Sequence, residues 1–149
     1  SEMCIRDSSW GVWRTWIMHW VYKRKPFVPD PYKFGFVYKI TNRKTKRAYI
    51  GCKQYYIGAK KKKPSGWETY TGSSKHLNSD MGKLGKKHFT FLIIGEYENK
   101  RSLKYYECFY QMKFKVLTAV LEWTDEPAYY NNYVGGKFYR PVQEYVDSY

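Results

Sequence analysis

Tyr38 and Tyr49 occupy positions where a strand pattern sets two phenols side by side. Tyr38 closes the triplet Phe36-Val37-Tyr38, Tyr49 opens the triplet Tyr49-Ile50-Gly51, and ten residues separate them. Between them Thr41 to Arg47 (TNRKTKR) is polar and basic without an apolar residue, the composition of a turn. If both phenols of a two-stranded ribbon stand on the same face, they lie within a few ångströms on a platform edged by cations. A phenol ionises near pH ~10 and is a poor base in water. Neighbouring cations lower that cost, and lysines and arginines flank both triplets.

The elements that must position this pair follow from local pattern. Gly35 to Ile40 and Ala48 to Ile50 are rich in aromatic and β-branched residues and read as antiparallel strands, with Gly51 ending the second. A second YIG, Tyr56-Ile57-Gly58, lies too far from Phe36-Val37-Tyr38 to make the tighter ribbon, so Tyr49 is the better partner. Residues 75–84 place Leu77, Met81 and Leu84 at helical spacing, with Ser73 or Ser74 as cap and Gly85 as stop. Residues 88–97 (HFTFLIIGEY) form a third strand whose near-continuous apolarity makes it central. A second helix over 103–117 carries Glu107 and Gln111 one turn apart on one side. The tail holds a turn at Trp123 to Pro127, then Tyr129-Tyr130-Asn131.

The chain of 149 residues suits one domain with a small appendage. Its 27 Lys and Arg against 13 Asp and Glu, a formal charge of +14, favour a polyanion as partner. Aromatics alternate with the cations, which points to nucleic acid ahead of anionic membrane. Three cysteines without C-x-x-C spacing give neither a disulfide framework nor a zinc site, and three histidines are too few to change that. No apolar run approaches the ~20 residues that span a bilayer. A reducing, cytoplasmic setting is the expectation. His76 and His88 match no catalytic position and read as bystanders.

The chain divides as follows. Residues 1–8 (SEMCIRDS) read as adaptor-derived and are set aside from the fold. Residues 9–32 read as a helix carrying Trp10, Trp13, Ile17 and Trp20, followed by a Pro-rich linker through Pro26, Pro29 and Pro31. Residues 33–134 form the domain and 135–149 a weakly structured tail. Within the domain Lys60, Lys61, Lys62 and Lys63 make a basic loop, either a solvated charge run or a phosphate-contacting segment.

The order of strand, strand, helix, strand, acidic helix and YYN resembles the GIY-YIG nucleases. The resemblance runs over about Gly35 to Tyr133, with FVY in place of GIY and YIG intact. WETYTGSSKHL and GKKHFTFLII are similar to its phage-type free-standing, homing-endonuclease-like branch. It implies an α/β (α+β) domain with a small central three-stranded, mostly antiparallel sheet flanked by helices. It implies a DNA endonuclease that hydrolyses phosphodiesters with one divalent cation, Mg²⁺ or Mn²⁺, held by Glu107. Tyr38 and Tyr49 would manage the proton of the attacking water, and Asn131 would orient water or backbone near the metal. The family's phosphate-clamping Arg has no counterpart, because Ala59 falls near its position. Lys53 and Lys75 are the substitutes, without the bidentate fork. The products would carry a 5′ phosphate and a 3′ hydroxyl. A homodimer on DNA is one route to double-strand cutting. The alternative is a catalytically impaired nucleic-acid-binding module of the same fold.

Overall fold

A computed structural model describes residues 19–58 and 63–136 of the chain. The strands are β1 (Trp20–Tyr22), β2 (Lys25–Pro26), β3 (Gly35–Asn42), β4 (Ala48–Gln54), β5 (Tyr56–Ile57), β6 (Lys63–Pro64) and β7 (Phe89–Tyr97). Helix α1 (Lys75–Leu84) precedes β7 and helix α2 (Lys100–Lys113) follows it. Short 3-10 turns occupy Trp67–Thr69 and Lys86–His88.

The main sheet is mixed and has five strands in the order β2-β1-β7-β3-β4, two more than the three expected from sequence. The three expected strands, β7, β3 and β4, pair antiparallel with one another, and β7 is central as its apolarity required. The extra pair comes from residues expected to end a Trp-rich helix and begin a linker. Trp20–Tyr22 instead pairs parallel with β7 and turns back through β2. Lys23 and Arg24, at φ 50° and 68°, form the two-residue turn. Two left-handed residues in such a loop are the type I′ geometry, normally marked by Asn-Gly. Here no glycine signals it, so the hairpin is hidden from a propensity reading. Trp20 then anchors the edge, its indole N–H donating to the Trp67 carbonyl at 2.8 Å. The expectations on residues 1–18, including Trp10, Trp13 and Ile17, on Lys60, Lys61 and Lys62, and on the tail from residue 137 lie outside the described residues.

Two cores form, one on each face. Phe36, Tyr38, Ile40, Phe89, Phe91 and Ile93 pack with Leu77 and Met81 of α1. Val37 and Ile50 point the other way and pack with Leu103 of α2, Val116 and Val134. Each fully buried Leu is worth ~1.5–3 kcal/mol of transfer free energy. Ser74 caps α1 by accepting from the Leu77 N–H at 3.2 Å, and Gly85, at φ 98°, ends it. Helix α2 begins earlier than its apolar pattern suggested, because Asn99 accepts from the Ser102 N–H at 2.8 Å. It also ends earlier, at Lys113. Lys115 turns left-handed (φ 53°), its N–H reaching the Met112 carbonyl while that of Val116 reaches Gln111. That pair of bonds is a Schellman closure built on lysine instead of glycine. No helix among the described residues is long and apolar enough to cross a membrane.

Candidate active site

In the antiparallel register of β3 and β4, Tyr38 lies opposite Gly51 and Ile40 opposite Tyr49. Residues facing across a ladder share a side, so Tyr38, Tyr49 and Gly51 present to the same face. A β-bulge in β7 breaks the β3–β7 register between Val37 and Tyr38, and bulges re-aim the neighbouring side chain. The Tyr38 ring folds over Gly51. A Cβ there would stand 2.6 Å from the Tyr38 hydroxyl and 3.0 Å from the Tyr49 ring. The glycine of YIG is thus required by space, to let both rings settle on β4. The two ring centroids are 6.2 Å apart.

Glu107 arrives from the opposite layer. Helix α2 packs on the Val37–Ile50 face, yet β4 is the sheet's edge, so a cleft along that edge is open to both layers. This cleft has a volume of about 690 Å³ and is lined by Tyr38, Tyr49, Lys75, Glu107 and Asn131 among others. Five of the six residues assigned from sequence converge here. Lys53 does not. Its ammonium sits 4.1 Å over the ring of Tyr70, a cation–π contact one side chain removed from the cleft wall. Lys63, the describable part of the basic loop, is exposed in the separate β5–β6 ribbon. The second YIG also falls on that ribbon, with Tyr56 half-exposed and away from the cleft.

Sequence reasoning missed several lining groups. Lys104 stands 3.8 Å from Glu107 Oε1 and 3.7 Å from the Cys52 sulfur. It brings a cation to the cleft that Lys53 was expected to supply, and its signal was the three-residue spacing from Glu107 on one helix. The Cys52 thiol hydrogen-bonds Glu107, and burial followed by that carboxylate pushes it up to about 12. His76, expected to be a bystander, is on the wall, with Nε2 3.7 Å from Asp80 Oδ2 and its ring edge-on to Tyr130 at 5.0 Å. Ser73 meets Tyr49, the two hydroxyl oxygens 3.0 Å apart, beside the N-terminus of α1. Helix N-termini favour anions, and Lys75 adds its charge at the same point.

Asn131, expected to orient water or backbone, bonds backbone on both sides of its amide. Its Oδ1 accepts from the Ile50 N–H at 3.1 Å, and its Nδ2 donates to the Ile50 carbonyl at 2.8 Å. The amide completes the open edge of β4 as a neighbouring strand would. Gln111 donates to the same carbonyl at 3.0 Å and accepts from the Gly135 N–H at 2.8 Å. The preceding Tyr130 hydroxyl accepts from Asn42 at 3.1 Å and donates to Asp80 at 2.8 Å. YYN therefore ties β3, β4 and α1 together beside the phenols.

The phenols differ from the sequence expectation in one respect. Cations were expected to ease their ionisation, but burial opposes it more strongly. Burial, and then the ionisable Tyr49 and Tyr70 hydroxyls nearby, hold Tyr38 well above the ordinary phenol range. Burial raises Tyr49 to about 12, partly offset by the Ser73 hydrogen bond, with Glu107 among the raising charges. Both are neutral donors in this cleft near neutral pH.

For a metal, the donor set is sparse. No group of three or more His, Cys, Asp or Glu able to hold an ion is found among the described residues. The cleft offers one carboxylate, Glu107, with only 13% of its side chain exposed. A hard cation that keeps most of its waters fits such a site, since Mg²⁺ is commonly held by one or two carboxylates plus substrate oxygens. Against known families, residues 20–134 match the SegE GIY-YIG endonuclease domain. Neither curated proteins nor solved structures yield a match.

Proposed function

The chain belongs to the SegE GIY-YIG domain family, a nuclease-type family, and on that premise we propose that it hydrolyses DNA phosphodiesters in the β4-edge cleft with one divalent cation. The observation that supports this reading is the meeting of Glu107 with Tyr38 and Tyr49 across the sheet edge, from opposite layers. Glu107 would hold the cation, Mg²⁺ or Mn²⁺, which supplies a Lewis acid for the phosphoryl oxygens. The N-terminus of α1 with Lys75, and Lys104 across the cleft, draw the scissile phosphate in and stabilise its growing negative charge. Lys53 acts through Tyr70, holding that ring and so the hydroxyl beside Tyr38.

Tyr38 and Tyr49 work here as neutral hydroxyls. They orient the attacking water and donate to phosphate, with Ser73 fixing the Tyr49 hydroxyl. Asn131 acts one step back, keeping the Ile50 backbone and thus the Tyr49-Ile50-Gly51 turn of strand in place. By family resemblance, cleavage leaves a 5′ phosphate and a 3′ hydroxyl.

Supercoiled plasmid, assayed with Mg²⁺ and with EDTA, tests the reading. Wild-type chain nicks or linearises it only with metal. Glu107→Gln lowers the rate by ~10²-fold or more while DNA binding in EDTA persists. Binding without cleavage at any divalent metal would leave the impaired binding module as the function.

A further inference from the structure

Helix α2 has another face that the cleft does not use. Tyr105, Phe109 and Met112 follow at spacings of four and three, one stripe along the helix, and are 62%, 43% and 58% exposed. Leu103 and Gln111 lie buried on the inward side. Large apolar groups grouped on an exposed face mark a contact surface more often than chance.

These rings are pinned. Tyr106 stacks on Tyr97 with centroids 4.6 Å apart and planes 10° from parallel. Tyr105 meets Tyr106 edge-on at 5.0 Å, and Phe109 meets it at 6.1 Å. Lys113 Nζ hangs 5.8 Å from the Phe109 centroid. A platform already ordered loses little freedom when a flat ligand lands on it.

Charge selects the occupant. Helix α2 carries Lys100, Arg101, Lys104 and Lys113 against one carboxylate, Glu107, which faces the cleft. A second copy packed on this stripe would set like charges against each other, whereas a polyanion neutralises them. Stacking also needs open base faces. A duplex offers them only at its ends, while unpaired nucleotides offer them along their length.

We infer that the Tyr105–Phe109–Met112 stripe is a stacking platform for unpaired nucleotides of a strand whose backbone passes the cleft. This rests on the nucleic-acid reading above and adds the strand state that the domain prefers beside the cut. Lys104 lines the cleft and Tyr105 is the next residue on the same helix. A strand leaving the cleft past Lys104 therefore meets the stripe without leaving α2.

Fluorescence anisotropy in EDTA, with the full chain, compares a labelled single-stranded oligonucleotide with a blunt duplex of the same sequence. Tyr105→Ala combined with Phe109→Ala weakens single-strand binding about tenfold, while duplex binding changes by less than about twofold. The salt slope of single-strand binding stays the same, because no phosphate contact is removed. Tyr105→Trp keeps wild-type affinity. If the double variant does not fold, Tyr105→Ala alone carries the same comparison at a smaller loss. Unchanged single-strand binding, or an equal loss on both substrates, overturns the inference. Loss of self-association in sedimentation velocity with nucleic-acid binding intact would assign the stripe to a second copy. Wild-type chain that binds neither substrate would overturn the proposed function itself, a result distinct from these.

Discussion

The Tyr49 hydroxyl lies 3.0 Å from Ser73, within a cleft that also holds the carboxylate of Glu107. Burial raises this phenol to about 12, whereas an unfolded chain releases the same proton near pH ~10. Folded stability from Tyr49 is therefore complete below pH ~10 and is lost as pH climbs towards 12, since the folded state then binds the extra proton. Melting temperature measured across alkaline pH should fall less steeply for Tyr49→Phe than for wild type. The rate should show no rising limb from Tyr49 ionisation between roughly pH 6 and 9. A rate that climbs through that range in wild type and flattens in Tyr49→Phe would mean the phenolate forms in the working enzyme. Space governs the third YIG residue. Gly51→Ala would drive a methyl into the Tyr38 hydroxyl, so either the phenol or the strand must move.

At the scale of elements, β4 is an edge strand that side chains finish. Asn131 and Gln111 together give the Ile50 backbone its partners, from helix α2 and from the YYN segment. Asn131→Ala leaves a buried N–H without its acceptor and removes one of two donors to the carbonyl. The expected cost is about 1–3 kcal/mol in urea unfolding, with cleavage reduced more than DNA binding. Wild-type stability in this variant would mean that water replaces the amide and the edge needs no clamp. The β1–β2 hairpin makes the opposite case, an element held by packing despite its turn. Lys23 and Arg24 occupy left-handed conformations that cost ~1–2 kcal/mol each for ordinary residues. Lys23→Asn with Arg24→Gly should raise stability by about 1 kcal/mol, read from the urea midpoint at unchanged slope.

Over the whole molecule, segments distant in sequence are tied together within a layer by a few partly buried polar groups. His19 is one of them, donating from Nε2 to the Tyr70 carbonyl at 2.9 Å and stacked on Phe91 at 3.8 Å. Burial, and then the ammonium of Lys86, lower this imidazole to about 4, although the Tyr70 carbonyl pulls the other way. The unfolded chain takes up the proton near pH ~6.5, so stability is full above that value and declines as pH drops towards 4. His19→Gln keeps a donor for Tyr70 and cannot titrate, and its melting temperature should fall less over that interval. The +14 charge acts at the same scale. A charge of that sign attracts polyanions from a distance but does not say which surface they meet.

Local pattern alone determined much of this. Aromatic and β-branched runs wrote β3 and β4, and near-continuous apolarity wrote the central β7. A cap at Ser73 or Ser74 and the Gly85 stop bounded α1, and the Tyr38–Tyr49 spacing located the ribbon on which the cleft is built. Tertiary structure decided what depends on residues far along the chain. The Ile50–Asn131 clamp joins positions 81 apart, and the Trp20–Trp67 bond joins positions 47 apart. It decided that Lys104 reaches the cleft while Lys53 rests on Tyr70, and that burial outweighs cations at both phenols. The reason is physical. Hydrogen-bond periodicity and steric preference act over a turn or a strand, whereas desolvation and edge pairing are set by whichever neighbours the fold brings into contact.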